Sequence, residues 1–421
     1  MRATPSLILL TCLVSLTAAA QAVSTRPTGE TQVVVRGGAG DQDVALWPNS
    51  ANPAQSLVMV ADSTVGLTTY RLNGTEFEVL QGEVAFGVDV REGFPLAGGS
   101  VPLVVVANGT RRSITAYVVD PVTLGLRRVD TDTLRVTNFD PRTVTLYRSP
   151  TNGTFYVFAA DAAGNMQQFE LSTNANGGVE GTVVRTFSVG GAVTGMVADE
   201  TQRVLFVAQQ NQGIWRYSAE ANGGSTRTAV ATAGQGALTA PLGGLSLYSL
   251  SASGGGYLLA ASTGGDQVVV FNQLSPHDQV GSFRIDSSSD GTIDAVTEPR
   301  SIQGVVRGLG ALYPRGAVIV HDTLNSPAQN HKLVSWREVA SAFTPALRES
   351  PPDSSSDGGV GDGGTGGSTD GGRDGGGNTS RPGGGGTIDP SDTGCSCATA
   401  SVSGTVLFVL LGLAMRGRRR Q

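Results

Sequence analysis

The feature that most constrains the fold of this chain is a series of short apolar runs rich in β-branched and aromatic residues. Turn residues bound each run, a pattern that predicts a buried β-strand. Most runs are followed within about fifteen residues by a second strand pattern, as in Gly66–Leu72 and Gly213–Tyr217. The six runs are Ser56–Val60, Leu103–Val106, Phe155–Phe158, Arg203–Val207, Tyr257–Ala260 and Gly316–Val320.

The spacing of these runs identifies the architecture. They recur about every fifty residues, which is typical of four-stranded propeller blades. A series of β-sandwiches is the alternative, but it would repeat nearer to every hundred residues or so. With 59 glycines and only 15% charged residues, the composition also favours turns and short strands over helices. We therefore predict an all-β protein with a six-bladed β-propeller over residues 31–345.

The N-terminus predicts export. Arg2 precedes an apolar run from Leu7 to Leu16, and small residues at Ala18–Ala22 then give a cleavage site. This order is typical of a secretory signal peptide, which we place at residues 1–22. Cys12 lies inside the apolar run, where a lipoprotein signal is the less favoured alternative because the run continues beyond it.

The C-terminus predicts a tether. Residues 350–392 are dominated by Gly, Asp, Ser and Thr, so this segment cannot bury enough apolar surface to fold and should be a disordered linker. Residues 394–421 then carry Cys395 and Cys397, an apolar stretch over 398–415 and an arginine tail. A stretch of about 18 apolar residues can just cross a bilayer, and the arginines favour a cytoplasmic end. This segment resembles myxobacterial surface-sorting signals, which implies attachment at the outer cell surface; a plain transmembrane anchor is the alternative.

Composition also excludes several classes of site. The net charge of −6 disfavours binding of nucleic acid, which calls for a basic surface. Lys332 is the only lysine, so an anion site would have to be built from arginine or metal. The predicted propeller contains no cysteine, which excludes disulfides and a Cys/His zinc site there. We expect a monomer.

Several segments, in order along the chain, resemble β-propeller phytases. The family's first-blade motif, Asp-Asp-Pro-Ala-Ile-Trp with a trailing Asn-Pro, is similar to Asp41–Asn49 followed by Asn52–Val58. Its Val-Asp-Leu-Arg is similar to Val88–Arg91, and its Tyr-His-Ser-Pro segment to Leu146–Pro150. Further resemblance lies in Gly153–Phe158, Val193–Glu200, Leu242–Tyr248, Tyr313–Pro314 and Asn330–Trp336. The series spans all six predicted blades.

The resemblance implies a phosphoric monoester hydrolase that acts on myo-inositol hexakisphosphate with calcium ions held in the central channel. Calcium takes about six to eight oxygen ligands, and the carboxylates are therefore the test of function. Carried over position by position, the resemblance makes Asp43, Asp89, Asp199 and Glu298 candidate metal ligands. It makes Arg91 and Tyr147 candidate catalytic residues.

Many other carboxylates of the family are replaced here. Its acids fall on Thr194, on Gln209 and Gln210, and on Pro241 and Gly243, while its lysine and glutamate after the third-blade strand fall on Ala162 and Ala163. Its second acid in the Thr-Asp-Gly segment falls on Arg300. Each loss removes a charge and an oxygen ligand, so we expect weak hydrolysis, one calcium at most near Asp43 or Asp89, and anion recognition by Arg91. The alternative is a catalytically inactive propeller that serves as a cell-surface binding module.

Overall fold

The computed structural model describes residues 21–33, 40, 42–250 and 255–351. Nearly all of the predicted signal peptide (1–22) and linker (350–392), and the whole anchor segment (394–421), lie outside the described residues. In the described part of the chain, no helix has the length and apolarity needed to cross a membrane.

The described strands form six sheets, which confirms the six-bladed propeller. Two short strands near the N-terminus are β1 (Val23–Thr25) and β2 (Gly29–Glu30). Blade 1 contains β3 (Gln42–Trp47), β4 (Leu57–Asp62), β5 (Gly66–Arg71) and β6 (Glu76–Gln81). Blade 2 contains β7 (Ala85–Leu96), β8 (Gly99–Asn108), β9 (Ser113–Val119) and β10 (Leu126–Arg128). Blade 3 contains β11 (Thr143–Arg148), β12 (Phe155–Ala160), β13 (Asn165–Thr173) and β14 (Val179–Ser188).

The remaining blades continue the same antiparallel order. Blade 4 contains β15 (Val193–Asp199), β16 (Val204–Gln209), β17 (Gly213–Ser218) and β18 (Arg227–Thr232). Blade 5 contains β19 (Leu242–Ser249), β20 (Gly256–Ser262), β21 (Gln267–Asn272) and β22 (Gln279–Ile285). Blade 6 contains β23 (Ile302–Val305), β24 (Ala317–Asp322) and β25 (Asn330–Ser335). Short 3₁₀ turns lie at Pro53–Gln55, Asp132–Leu134 and Thr263–Gly265, and an α-helix, α1, spans Trp336–Ala342.

Each apolar run of the sequence became the second strand of a blade. In β4, β12, β16, β20 and β24 every residue is buried, because both faces of the strand are covered by neighbouring blades. A strand covered on both faces needs a continuous apolar run. The outermost strands, such as β18, are largely exposed and carry no such pattern.

The core is divided among the interfaces between blades. Six clusters of buried side chains each join two neighbouring sheets, from blades 1 and 2 round to blades 6 and 1. Tyr248 and Trp336 illustrate this packing between blades 5 and 6, where their rings stack with centroids 3.7 Å apart. The ring of blades is therefore held by apolar packing all the way round.

The N-terminal strands close the ring, and sequence analysis missed them. β2 completes blade 6 by pairing with β25, and β1 adds a fifth, parallel strand to blade 5. Strands of two and three residues have no readable periodicity, so the propeller was predicted to start only at residue 31. The closure is reinforced by Lys332, fully buried on β25, whose Nζ lies 2.6 Å from Glu30 Oε2 on β2.

Candidate functional site

The first strand of each blade lines a central channel that contains two cavities. The inner cavity, of about 310 Å³, is lined by residues of all six of these strands. The mouth cavity, of about 470 Å³, lies at the end where the six strands begin, and Asp43 lines both cavities. The inner cavity therefore brings together four predicted site residues, Asp43, Asp89, Arg91 and Asp199.

Asp43 lies near the start of β3 and has a strongly perturbed carboxyl group. Its Oδ1 accepts a hydrogen bond from the backbone N–H of Val44 at 2.9 Å, and its Oδ2 accepts one from Val88 at 3.1 Å. Burial penalises the charged form and raises the pKa of Asp43 to about 7. The two backbone hydrogen bonds lower the pKa and the charge of Asp89 raises it, but both effects are smaller than that of burial.

Asp89 and Arg91 link blade 2 to blade 3. Asp89 Oδ2 accepts hydrogen bonds from the backbone N–H of Leu146 at 2.7 Å and the hydroxyl of Thr145 at 3.0 Å. Arg91 donates from Nη2 to the carbonyl oxygen of Leu146 at 2.8 Å, and its Nε lies 3.4 Å from Glu200 Oε1. Arg91 lines the inner cavity and not the mouth.

Asp199 lies in the wall of the inner cavity, but its oxygens are engaged with the protein. The residue is only 2% exposed. Its Oδ2 accepts hydrogen bonds from the side-chain amides of Gln202 at 2.6 Å and Gln273 at 2.7 Å, and its Oδ1 accepts the backbone N–H of Gln202. Neutral donors therefore already hold both oxygens of the carboxylate by hydrogen bonds, which leaves it poorly placed to bind a metal ion.

Glu298 and Tyr147 do not join this group. Glu298 lines the mouth cavity, where its Oε2 lies 3.5 Å from Arg300 Nη2. Tyr147 contributes to the wall of neither cavity: its ring is fully buried between blades 3 and 4, and its hydroxyl donates to Glu220 Oε1 at 2.8 Å. Burial, and then the bond to Glu220, raise the pKa of Tyr147 above its usual range.

The mouth cavity gathers most positions at which the resemblance expects an ionic side chain and this chain has another residue. They converge from four different blades, although they are scattered through the sequence. These positions are Ala162, Thr194, Gln210, Pro241, Gly243 and Arg300.

Sequence analysis missed a second arginine at the mouth. Arg142 lines the cavity directly before β11, and its guanidinium lies over the ring of Phe86, 3.8 Å from the ring centroid. One signal could have found it: Arg142 precedes the first strand of blade 3 as Arg300 precedes the first strand of blade 6. Residues just before the first strand of a blade lie at the mouth of the channel, because all six first strands begin at that end.

Comparison with known proteins decides the family. A family model described as Phytase matches residues 3–351. The chain belongs to the phytase family. A relative, the 3-phytase of Bacillus subtilis (strain 168), is 29% identical over 326 residues, covering 74% of this chain and 83% of that protein. The phytase-family model thus matches the whole described propeller and supports a phytase-like hydrolase.

Two solved structures resemble this phytase-family propeller more distantly. A luciferin-regenerating enzyme has 12% identity and a TM-score of 0.46, covering 73% of this chain and 96% of that one. A hydrazine synthase from Kuenenia stuttgartiensis has 13% identity and a TM-score of 0.43, covering 70% and 82%. At these identities and TM-scores, neither likeness bears on the reaction.

The phytase family depends on calcium, which binds through clusters of oxygen ligands. The described residues contain no group of three or more His, Cys, Asp or Glu side chains that could hold a metal ion. Asp199 is occupied by amides, Asp89 accepts hydrogen bonds from three donors, and Glu298 lies beside a guanidinium. The residues of the channel that the structure describes therefore do not fit a cluster of several calcium ions.

Proposed function

We propose that this chain is an exported, phytase-like phosphomonoesterase that acts on inositol phosphates such as myo-inositol hexakisphosphate, and that its hydrolysis is weak. The observation that carries the proposal is the channel itself. Asp43 and Asp89 remain on its wall, while most of the replaced positions gather at its mouth. The substrate class follows from the 3-phytase relative.

The weakness of the reaction follows from charge. A highly phosphorylated substrate must have its negative charge neutralised while the phosphoryl group is transferred. The replaced positions Thr194, Gln210 and Gly243 contribute no carboxylate that could hold a neutralising metal ion. We propose that at most one calcium ion binds, near Asp43 or Asp89, in place of a cluster.

Phosphate release tests this proposal directly. The full-length chain would be incubated with inositol hexakisphosphate in millimolar calcium, and inorganic phosphate would be measured over time. We expect a turnover slower than about one per second, against a median near 10 per second for enzymes. A turnover near one per second or faster would overturn the claim of weak hydrolysis.

A non-catalytic binding module is the second candidate. The observation that favours it is Asp199, which resembles a family ligand but is held by the amides of Gln202 and Gln273. Calcium titration followed by thermal unfolding separates the two candidates, since an ion that binds only the folded chain raises Tm. A calcium-dependent rise in Tm together with phosphate release supports the enzyme; no response of either kind supports the binding module.

We also propose that the propeller is tethered outside the cell as a monomer. The signal peptide (1–22), the linker (350–392) and the anchor segment (394–421) with its apolar stretch 398–415 support this location. Protease treatment of intact cells that express the full-length chain should remove the propeller. Replacing Cys395 and Cys397 with serine tests processing, because a sorting signal should then fail whereas a plain membrane anchor should still hold.

A further inference from the structure

We infer that the mouth cavity binds a phosphate ester directly between Arg142 and Arg300, without a bridging metal ion. This inference rests on the proposed function for its ligand class, a small polyphosphorylated molecule. It differs from that function in the means of recognition, since two guanidinium groups take the part that metal ions play in the family.

The positions of the two arginines suit a clamp. Arg142 stands at the start of blade 3 and Arg300 at the start of blade 6, and blades three apart in a ring of six face each other across the axis. Both side chains line the same cavity of about 470 Å³. That volume falls within the range of about 300–1,000 Å³ that is usual for small-molecule sites.

The chain holds both arginines in place. Arg142 donates its backbone N–H to the carbonyl oxygen of Ala160 at 2.8 Å, and the ring of Phe86 supports its guanidinium. The segment before Arg300 is fixed by Thr263 Oγ1, which donates to the carbonyl oxygen of Pro299 at 2.6 Å, and by Thr323 Oγ1, which donates to that of Glu298 at 2.6 Å. A backbone fixed at both positions limits the entropy that is lost when a ligand arrives.

The wall between the arginines carries neutral polar side chains. Thr194 and Gln210 line the cavity where the resemblance expects carboxylates, so these positions no longer repel an anion. Ser301 also lines it, and among the residues that the structure describes its buried hydroxyl has no hydrogen-bond partner. A phosphate oxygen at this wall would satisfy that donor.

Guanidinium chemistry fits this ligand better than a sugar or a neutral alcohol. Arginine presents paired N–H donors that match two phosphate oxygens, and these charge-assisted bonds are stronger than neutral ones. Asp43 and Glu298 also line the mouth, and Glu298 Oε2 lies 3.5 Å from Arg300 Nη2, so a phosphate would replace Glu298 as the partner of that guanidinium. The cavity is therefore suited to a ligand with phosphates on opposite sides of a small ring.

The test is binding in the absence of metal. Titration calorimetry would measure the affinity of the full-length chain for inositol hexakisphosphate in EDTA. We expect binding, and we expect Arg142→Gln and Arg300→Gln each to weaken it by about 10-fold or more, the usual worth of a charge-assisted bond. Arg127→Gln makes the same charge change at an exposed position on β10 and should change affinity by less than about twofold.

Three controls make the outcome decisive. Unchanged Tm shows that each variant is folded, Arg300→Lys should recover only part of the affinity, and unphosphorylated myo-inositol should not bind. Binding that appears only with calcium, or that all three glutamine variants weaken equally, would overturn the clamp. Neither result depends on turnover: absent phosphate release with intact binding in EDTA defeats only the proposed hydrolysis, and calcium-dependent turnover without binding in EDTA defeats only the clamp.

Discussion

Gly243 lies so close to Arg300 that a Cβ atom added to Gly243 would be 2.5 Å from the carbonyl oxygen of Arg300. Gly243 is also a position where the resemblance expects a carboxylate, so restoring that residue meets a backbone obstacle. We predict that Gly243→Glu destabilises the propeller by about 1–3 kcal/mol, the usual cost of overpacking. Denaturant unfolding measures this free energy.

Ala162→Glu is the matched control, because it introduces the same side chain in the wall of the same cavity at an exposed position. Its effect on the free energy of unfolding should stay within about 0.5 kcal/mol. Equal stability of the two variants would show that blades 5 and 6 can separate at Gly243 without cost. The loss of the family's carboxylate there would then have no steric basis.

The sequence predicts those strands whose apolar residues form a continuous local pattern. The runs that became β4, β12 and β20 are buried on both faces, so their apolar residues are continuous and could be read directly. β2 has two residues and depends on β25 for its hydrogen bonds, so no local pattern marks it. Long-range pairing of this kind leaves no periodic signal.

The site was predictable only in part, because motifs mark some of its residues and folding alone brings the others together. Asp43 and Asp89 stand in motifs, and the structure places both on the channel wall. Tyr147 also stands in a motif, but its hydroxyl is directed to Glu220, and that partner lies on a distant loop that no spacing reveals. Arg142 has no motif, and only the convergence of six strand starts brings it to Arg300.

Asp199 provides a prediction that separates a structural carboxylate from a metal ligand. Asp199→Asn would place an amide beside the amides of Gln202 and Gln273, so donors would face donors. We expect the free energy of unfolding in EDTA to fall by about 1–3 kcal/mol. The calcium dependence of Tm should not change.

Asp132→Asn serves as the control for this variant, since the Asp132 side chain is 93% exposed. It should leave stability unchanged. If Asp199→Asn instead keeps full stability in EDTA and abolishes a calcium-dependent rise in Tm, then Asp199 binds calcium and the structural role is wrong.

Lys332 should be essential to closure of the ring. It is fully buried and within 3.4 Å of both Glu30 Oε2 and Asp322 Oδ2. Lys332→Met would leave these carboxylates without their cation, at a cost of about 3–5 kcal/mol. Chemical denaturation should show this loss, while Arg127→Met, on an exposed edge strand, should cost almost nothing; similar losses in both would contradict the role of Lys332.

Two stacked histidines predict that stability depends on pH. His321 and His331 lie on β24 and β25 with ring centroids 5.0 Å apart, and burial lowers the pKa of His321 to about 4 and that of His331 well below its usual value. Below about pH 6.5 the unfolded chain takes up protons that the folded chain refuses, so stability is present above this pH and is lost as pH falls towards 4.

The variant His321→Gln removes one of these groups. Between pH 7 and pH 5 we expect it to lose about 2 kcal/mol less stability than the unaltered chain, as linkage requires for one histidine. Urea unfolding at the two pH values measures the difference. Other groups that titrate in this range, including Asp43, contribute equally to both proteins. An equal loss of stability in the variant and the unaltered chain would show that burial of His321 does not oppose its protonation.

The central claim, a phytase propeller with a reduced metal site, is tested most directly by counting calcium ions. Equilibrium dialysis of the full-length chain and its Asp43→Asn/Asp89→Asn double variant in millimolar calcium would give the number of ions held by these two carboxylates as the difference between the two proteins, free of any contribution from the linker. We predict a difference of no more than one ion per chain. A difference of two or more would contradict the account.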